Sequence, residues 1–149
     1  RLRLDPGIGS VTCAGVLNST GEHAGLIATG SNVLSENELR LRAVDLPAGS
    51  AVVFMVSRMP GLVLQPGGSL GQLCLGGAIG RFLGPGEVGP ATAAGLASIR
   101  IDLVGLPAIG VGGRPGPGDT LFFQAWYRDG GSGGLAVSNL TAAIAVTLR

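Results

Sequence analysis

The two cysteines, Cys13 and Cys74, are the residues of this sequence whose chemistry is easiest to anticipate. They lack the close spacing of a CxxC motif, and the single histidine, His23, has no partner at the spacing of a zinc site. Two interpretations remain open: a pair of buried free thiols, or a disulfide that closes a long loop. We favour the disulfide, which would stabilise the fold by about 4 kcal/mol. It would indicate an oxidising compartment, so we expect an extracellular or cell-surface, secreted protein.

Other chemical motifs match only weakly. The sequence has no Gly-x-Ser-x-Gly motif, and the Gly-rich residues 110–118 lack the Gly-Lys-Ser/Thr ending of a phosphate-binding loop. Asp129 precedes a Gly/Ser run but is its single carboxylate, whereas calcium takes about six to eight oxygen ligands. Asn18 and Asn139 each begin an N-glycosylation pattern, which we expect in exposed turns. We predict no enzyme activity, no catalytic residues, no metal and no cofactor.

One strand offers a candidate ligand platform. Within residues 121–128, Gln124, Trp126 and Arg128 share one face, and Tyr127 lies on the other. Trp126 could form an exposed surface for a sugar ring, with Gln124 and Arg128 as hydrogen-bond partners. The alternative is that Trp126 fills the core of the fold, as a central-strand tryptophan commonly does. We favour the alternative, because the chain has few aromatic residues with which to fill a core.

The elements that must position these residues are short strands. Apolar residues alternate with a period of two, and no long stretch free of Gly and Pro has a helical period. The predicted strands cover residues 26–29, 38–44, 51–56, 73–75, 98–103, 121–128 and 142–148. Joined by Gly/Pro turns, they predict an all-β fold, an antiparallel β-sandwich of Greek-key or jelly-roll type with about seven to nine strands. We expect one domain over residues 11–149, preceded by an N-terminal extension over residues 1–10.

The composition argues against two classes of partner. A net charge of +1 and the absence of lysine leave no clustered basic surface for nucleic acid. No apolar run approaches the roughly 18–20 residues of a membrane-spanning helix.

Charged residues make up only 13% of the chain, so sheet edges lack their usual charge protection. The last strand, residues 142–148, is itself uncharged, and we expect another copy of the chain to cover it.

Several stretches also resemble a known kind of domain. They include Asn-Ser-Thr-Gly at 18–21, Leu-Cys-Leu-Gly-Gly-Ala-Ile-Gly-Arg-Phe at 73–82, Phe-Gln-Ala-Trp-Tyr-Arg-Asp at 123–129 and Ser-Asn-Leu-Thr at 138–141. Together they resemble a β-rich domain found near the C-termini of large secreted and cell-surface bacterial proteins. The resemblance spans about residues 11–149, and it implies an extracytoplasmic β domain with a structural or appendage role and no catalytic residues to transfer.

These features favour a self-assembling extracellular subunit, such as a fibre, an appendage or a surface layer. Residues 1–8 would add as a strand to the sheet of a neighbouring copy, with Leu2, Arg3 and Leu4 as the assembly strand and the two leucines in apolar slots. A first alternative is a carbohydrate-binding module for polysaccharide, which uses Gln124, Trp126 and Arg128. A second is a passive spacer domain of a surface protein.

Overall fold

Two antiparallel sheets packed face to face make up the protein. The computed structural model describes residues 7–107, 113–130 and 136–149. The seven-stranded sheet contains β1 (Ser10–Cys13), β4 (Ala51–Leu64), β5 (Gln72–Arg81), β6 (Gly89–Pro90), β8 (Thr120–Gly130), β9 (Ala136–Leu140) and β10 (Ala143–Thr147). The three-stranded sheet contains β2 (Gly25–Gly30), β3 (Leu39–Val44) and β7 (Ala97–Arg100). The predicted antiparallel β-sandwich is confirmed.

The described residues form ten strands, rather than about seven to nine. The difference comes from β1, β6 and β9, which are short and carry no clear apolar alternation of their own. In the larger sheet the strands lie in the order β1-β10-β8-β4-β5. β6 pairs with the first two residues of β4, ahead of the stretch of β4 that pairs with β5. β9 pairs with the second half of β8. The smaller sheet has the order β2-β3-β7.

The core between the sheets follows from the alternation of side chains along each strand. In β3, Leu39, Leu41 and Ala43 are completely buried, whereas Arg40 and Arg42 on the other face are exposed. The apolar face of this small sheet packs against the inward-facing residues of the large sheet, so a single cluster joins the two layers.

β4 is covered on both faces, as its continuous apolar run predicts. Phe54 and Val56 point into the core between the sheets. Met55 points the other way and is 6% exposed, because it packs with Leu75 and Leu140 in a second cluster on the outer face of the large sheet.

The cover over this second cluster is the hairpin of β4 and β5. Its register breaks twice, and the ribbon bends over the outer face of β8. At the bend the two strands approach so closely that a Cβ on Gly61 would lie 2.6 Å from the carbonyl oxygen of Leu75. Only glycine fits at position 61, so this residue allows the arch. Near the tip, the amide of Leu70 donates a hydrogen bond to the carbonyl oxygen of Ser138, 2.9 Å away, and this bond attaches the arch to β9.

The described part of the N-terminal extension belongs to the domain's own sheets. The amide of Ile8 donates to the carbonyl oxygen of Ala28 in β2 at 2.8 Å, and Ile8 packs against the core. β1 then pairs with β10. The expectation that the donor strand extends to residue 8 is therefore wrong, because Ile8 already pairs with β2 of its own chain. Residues 1–6, which include the predicted assembly strand Leu2, Arg3 and Leu4, lie outside the described residues.

The last strand is not an exposed edge. β10 lies between β1 and β8, and Ala143 and Val146 are completely buried. The expectation that another copy must cover residues 142–148 is therefore wrong, because β1 of the same chain already pairs with this strand.

The predicted disulfide is confirmed. Cys13 in β1 and Cys74 in β5 are bonded, and their Cα atoms lie 6.6 Å apart. Since β5 belongs to the arched hairpin, the bond fixes the hairpin to the N-terminal edge of the same sheet.

Candidate functional site

The two faces of β8 have different surroundings. Phe123, Ala125 and Tyr127 point between the sheets and are completely buried. Trp126 lies on the outer face and is partly exposed. The interpretation that Trp126 fills the sandwich core is wrong, because Tyr127 occupies that position. Its hydroxyl keeps a polar partner there, since the Nδ2 atom of Asn18 lies 3.3 Å away.

Gln124 is not part of an exposed platform. Its side chain is completely buried under the hairpin. The Oε1 atom accepts a hydrogen bond from the amide of Cys74 at 2.9 Å. The Nε2 atom donates to the carbonyl oxygens of Gln72 at 3.0 Å and Thr141 at 2.8 Å. The side-chain amide thus acts as an extra peptide group between β5 and the β9–β10 turn, and no polar atom of it is left for a ligand.

Trp126 and Arg128 do lie together on the surface. The guanidinium carbon of Arg128 is 5.0 Å from the centroid of a Trp126 ring, which is within the range of a cation–π contact. Beside them is a groove of about 280 Å³, lined by Trp126, Val53, Met55, Arg81 and Leu83. The groove combines an aromatic side chain with a cationic one at its border, which is the chemistry of a site for a polar, planar-faced ligand.

A buried polar cluster, which sequence reasoning missed, links the 17–22 turn to β8 and β9. The carboxylate of Asp129 is completely buried and accepts hydrogen bonds from the amide of Ser19 at 3.0 Å and from the Nδ2 atom of Asn139 at 3.3 Å. Asn18 donates to the carbonyl oxygen of Asp45 at 2.8 Å and to Tyr127. The alternation of side chains along a strand was the signal that could have revealed this burial. Asp129 lies two residues after Tyr127 and so shares its inward face.

This cluster also corrects the interpretation of the two glycosylation patterns. Asn18 is 7% exposed and Asn139 is 0% exposed. Both side-chain amides hold other parts of the chain by hydrogen bonds, so neither lies in an exposed turn as expected.

Burial gives the hydroxyl of Tyr127 an unusual titration. Desolvation raises its pKa from 10.0 to about 12, with a smaller contribution from the nearby Asp129 charge and an opposing one from the Asn18 hydrogen bond. Because the folded pKa lies above the unfolded one, the stabilisation is complete below pH 10 and is lost as pH rises towards 12.

Absorbance at 295 nm can measure this directly, since Tyr127 is the single tyrosine. We expect the ionisation of Tyr127 to have its midpoint near pH 12 in the folded chain and near pH 10.0 in denaturant. The thermal midpoint should fall over the same interval in the native chain and much less in Tyr127→Phe. A folded-state midpoint at the ordinary value would contradict this burial.

The hairpin presents an exposed apolar surface. We call residues 59–80 the apolar hairpin, because this stretch between Arg58 and Arg81 contains no charged residue. Leu62 and Leu64 are 64% and 69% exposed, and Met59 is 56% exposed. Exposed apolar side chains that are contiguous, rather than scattered, mark surfaces that contact other molecules.

The structure gives little that points to other chemistry. No group of three or more His, Cys, Asp or Glu residues that could hold a metal occurs within the described ranges, and the Nδ1 atom of His23 lies 2.9 Å from the carbonyl oxygen of Gly15. Among the residues that the structure describes, no helix has the length and apolar character to cross a membrane. Comparison of the chain with protein-family models, curated proteins and solved structures gives no match.

Proposed function

We propose that this chain is an extracellular structural subunit that assembles with copies of itself, as a fibre, an appendage or a surface layer, by β-strand addition. The observation that carries the proposal is the apolar hairpin, which exposes large apolar side chains and contains no charged residue within its 59–80 stretch. Soluble single domains usually protect such surfaces with charge, often lysine, and this chain contains no lysine. A copy of the same chain supplies a cover of matching character.

The oxidised state of the chain supports the extracellular location. Disulfides persist in oxidising compartments and are rare in the cytosol. The bond between Cys13 and Cys74 also fixes the hairpin in place, so that its exposed residues form a defined surface rather than a loose loop. The resemblance to β-rich domains of secreted and cell-surface bacterial proteins agrees with this location.

The N-terminal residues are the proposed connection between copies. Arg1 to Leu4 alternate charged and apolar residues, as a strand with one buried face does. Leu2 and Leu4 would enter apolar slots of the neighbouring subunit, and main-chain hydrogen bonds would supply continuity between the two chains.

The test compares the full chain with two matched double variants. Negative-stain electron microscopy and analytical sedimentation of the full chain, without reductant, should show ordered polymers. Leu2→Asp/Leu4→Asp should abolish them, whereas Arg1→Gln/Arg3→Gln should retain them, because it changes the same segment but keeps both leucines. A full chain that stays monomeric at high concentration, or polymers that form equally well in the aspartate variant, would overturn the proposal.

A second candidate function rests on the groove beside Trp126. Its aromatic and guanidinium groups fit a carbohydrate-binding module of a secreted protein, with Arg81 taking the polar role once expected of Gln124. Trp126 is the single tryptophan, so its fluorescence reports this groove alone. Quenching by one member of a polysaccharide panel would favour this function, and a flat response together with polymers would favour assembly. A chain that forms no polymers and whose fluorescence responds to no polysaccharide would favour the passive spacer domain.

A further inference from the structure

The described sheet edges differ in how far the chain itself engages them. The outer edge of β2 pairs with Ile8. The edge of β5 is engaged at Gln72 and Cys74, whose peptide groups hydrogen-bond to the side chain of Gln124. β1 is bonded to β5 through the disulfide, and the Nε2 atom of Gln72 donates to the carbonyl oxygen of Ala14 just beyond it. β9 is engaged by the hairpin tip, since the Leu70 amide and the Ser69 hydroxyl both donate to the carbonyl oxygen of Ser138. β6 is an edge of two residues, one of them a proline. Among the described edges that leaves β7, whose strand partner within the described ranges is β3 alone.

The peptide groups of β7 alternate between its partner and open space. The amide of Ile101 donates to the carbonyl oxygen of Leu39 at 2.9 Å, so this position faces β3. In an antiparallel ladder every second residue does so, and Ile99 therefore faces β3 as well. The N–H and C=O groups of Ser98 and Arg100 consequently point away from the sheet, as a template for one more strand.

A cleft of about 420 Å³ lies alongside this edge. Its walls include Val52, Phe54 and Ile99, which face the space between the two sheets, and also Arg42 and Ser98, which face the outside of the small sheet. A cavity that touches both faces of an edge strand occupies the place where the next strand of that sheet would lie. Its apolar wall is formed by side chains of the core itself.

We propose that the outer edge of β7 accepts residues 2–4 of a neighbouring copy as an added strand. Leu2 and Leu4 enter the cleft above Val52 and Phe54, and Arg3 lies on the outer face beside Ser98. This inference rests on the proposed function, because it identifies the surface that receives the assembly strand.

The position of the donor segment supports this pairing. Residues 1–6 precede Gly7 and Ile8, which lie at the β2 edge of the small sheet. The acceptor edge, β7, is on the opposite side of the same sheet. Donor and acceptor on opposite edges make a head-to-tail contact that does not pair with itself, and repetition of such a contact produces an open filament rather than a closed dimer.

The arginine side chains at the proposed contact predict that assembly depends on salt concentration. Arg1 and Arg3 would join Arg42 and Arg100, which are both exposed on the outer face of the small sheet, whereas Glu87 is the single acidic residue among those that line the cleft. Like charges on neighbouring strands repel, and salt screens the repulsion over about 8 Å at physiological ionic strength. Polymer formation should therefore increase when sodium chloride is raised from low to physiological concentration.

The first test blocks the acceptor edge in the full chain. Ser98→Pro removes the outward N–H group and places a ring at the edge, without removing a hydrogen bond to β3. We expect the concentration needed for polymers to rise by about tenfold or more, which corresponds to one interfacial contribution of about 1.4 kcal/mol. Ser98→Thr keeps the N–H group and should assemble like the native chain. Thermal unfolding of both variants checks that the fold is retained.

The second test is independent of proline. In Arg3→Cys/Ser98→Cys, mild oxidation should produce a ladder of disulfide-linked multimers, with the native Cys13–Cys74 bond verified by mass spectrometry. In Arg3→Cys/Thr29→Cys, a rapid bond within one chain would instead indicate that residues 1–6 pair with their own β2 edge, and this outcome overturns the inference.

The results separate this inference from the proposed function. Polymers that require Leu2 and Leu4, yet form normally in Ser98→Pro and give no ladder, would overturn the β7 edge as the acceptor and leave strand-mediated assembly standing. A native chain that forms no polymer under any salt condition would overturn both.

Discussion

Reduction of the Cys13–Cys74 bond is expected to lower the free energy of unfolding by about 4 kcal/mol. The two cysteines are 61 positions apart, and the bond joins an edge strand to the arched hairpin. A cross-link over so long a loop restricts the unfolded chain strongly, and small domains have only about 5–15 kcal/mol of net stability. The reduced chain should therefore melt well below the oxidised one, and its denaturant midpoint should fall in proportion.

Two variants separate the loss of the bond from side effects of the reductant. Cys13→Ser/Cys74→Ser should match the reduced native chain and should not respond to reductant. Exchange of amide hydrogens at residues 69–76 should accelerate in both, because the hairpin then loses its covalent link to β1 and keeps only the Gln124 hydrogen bonds, the packing of Leu75 and the tip contacts over β8 and β9. Equal melting of oxidised and reduced native chain would show that the bond does not stabilise the fold.

The alternation of side chains made most of the sandwich predictable. In β3 the positions of Leu39 and Leu41 relative to Arg40 identify the buried face without reference to any partner strand. The same rule placed Tyr127 and Trp126 on opposite faces of β8. It could not decide which face met the other sheet, because each face of β8 carries two aromatic residues, and one face packs against the small sheet and the other under the hairpin.

The hairpin arch is the feature that local patterns could not reveal. A bend over the outer face depends on register breaks and on the close approach of Gly61 to Leu75, and both are properties of two strands in contact rather than of either strand alone. The misassignment of Gln124 follows directly, since a polar residue on an outer face is normally exposed. Arg128, four residues further along the same face, obeys that rule and is exposed.

The expectation that another copy covers the last strand was wrong for a related reason. Strand order in a sandwich is set by contacts between distant parts of the chain, and β10 acquires its second neighbour from β1 at the opposite terminus. The free edge of β7 is equally invisible in the sequence, where residues 98–103 read as one more alternating strand. What distinguishes it is the cleft along its side.

Gln124→Leu is expected to destabilise the protein by roughly 3–5 kcal/mol, because it removes the partner of the buried Cys74 amide, of the buried Thr141 carbonyl oxygen and of the partly buried Gln72 carbonyl oxygen, at about 1–3 kcal/mol for each buried group. Leucine is close to glutamine in size, so little of the loss can come from a cavity. The free energy of unfolding in urea, with the disulfide intact, measures the effect. Arg128→Gln, on the same face of the same strand but exposed, should remain within about 0.5 kcal/mol of the native chain.

Gln124→Glu distinguishes hydrogen bonding from packing at the same position. A carboxylate can accept from the Cys74 amide but would face the carbonyl oxygens of Gln72 and Thr141, to which the native side chain donates. Burial and these two acceptors would raise the pKa of the new carboxyl group, so the variant should gain stability relative to the native chain as pH falls and the group becomes protonated. A glutamate variant as stable as the native chain at neutral pH would mean that the arch does not depend on these donors. In that case the disulfide, the apolar packing of Leu75 and the tip contacts would hold the apolar hairpin in position for assembly.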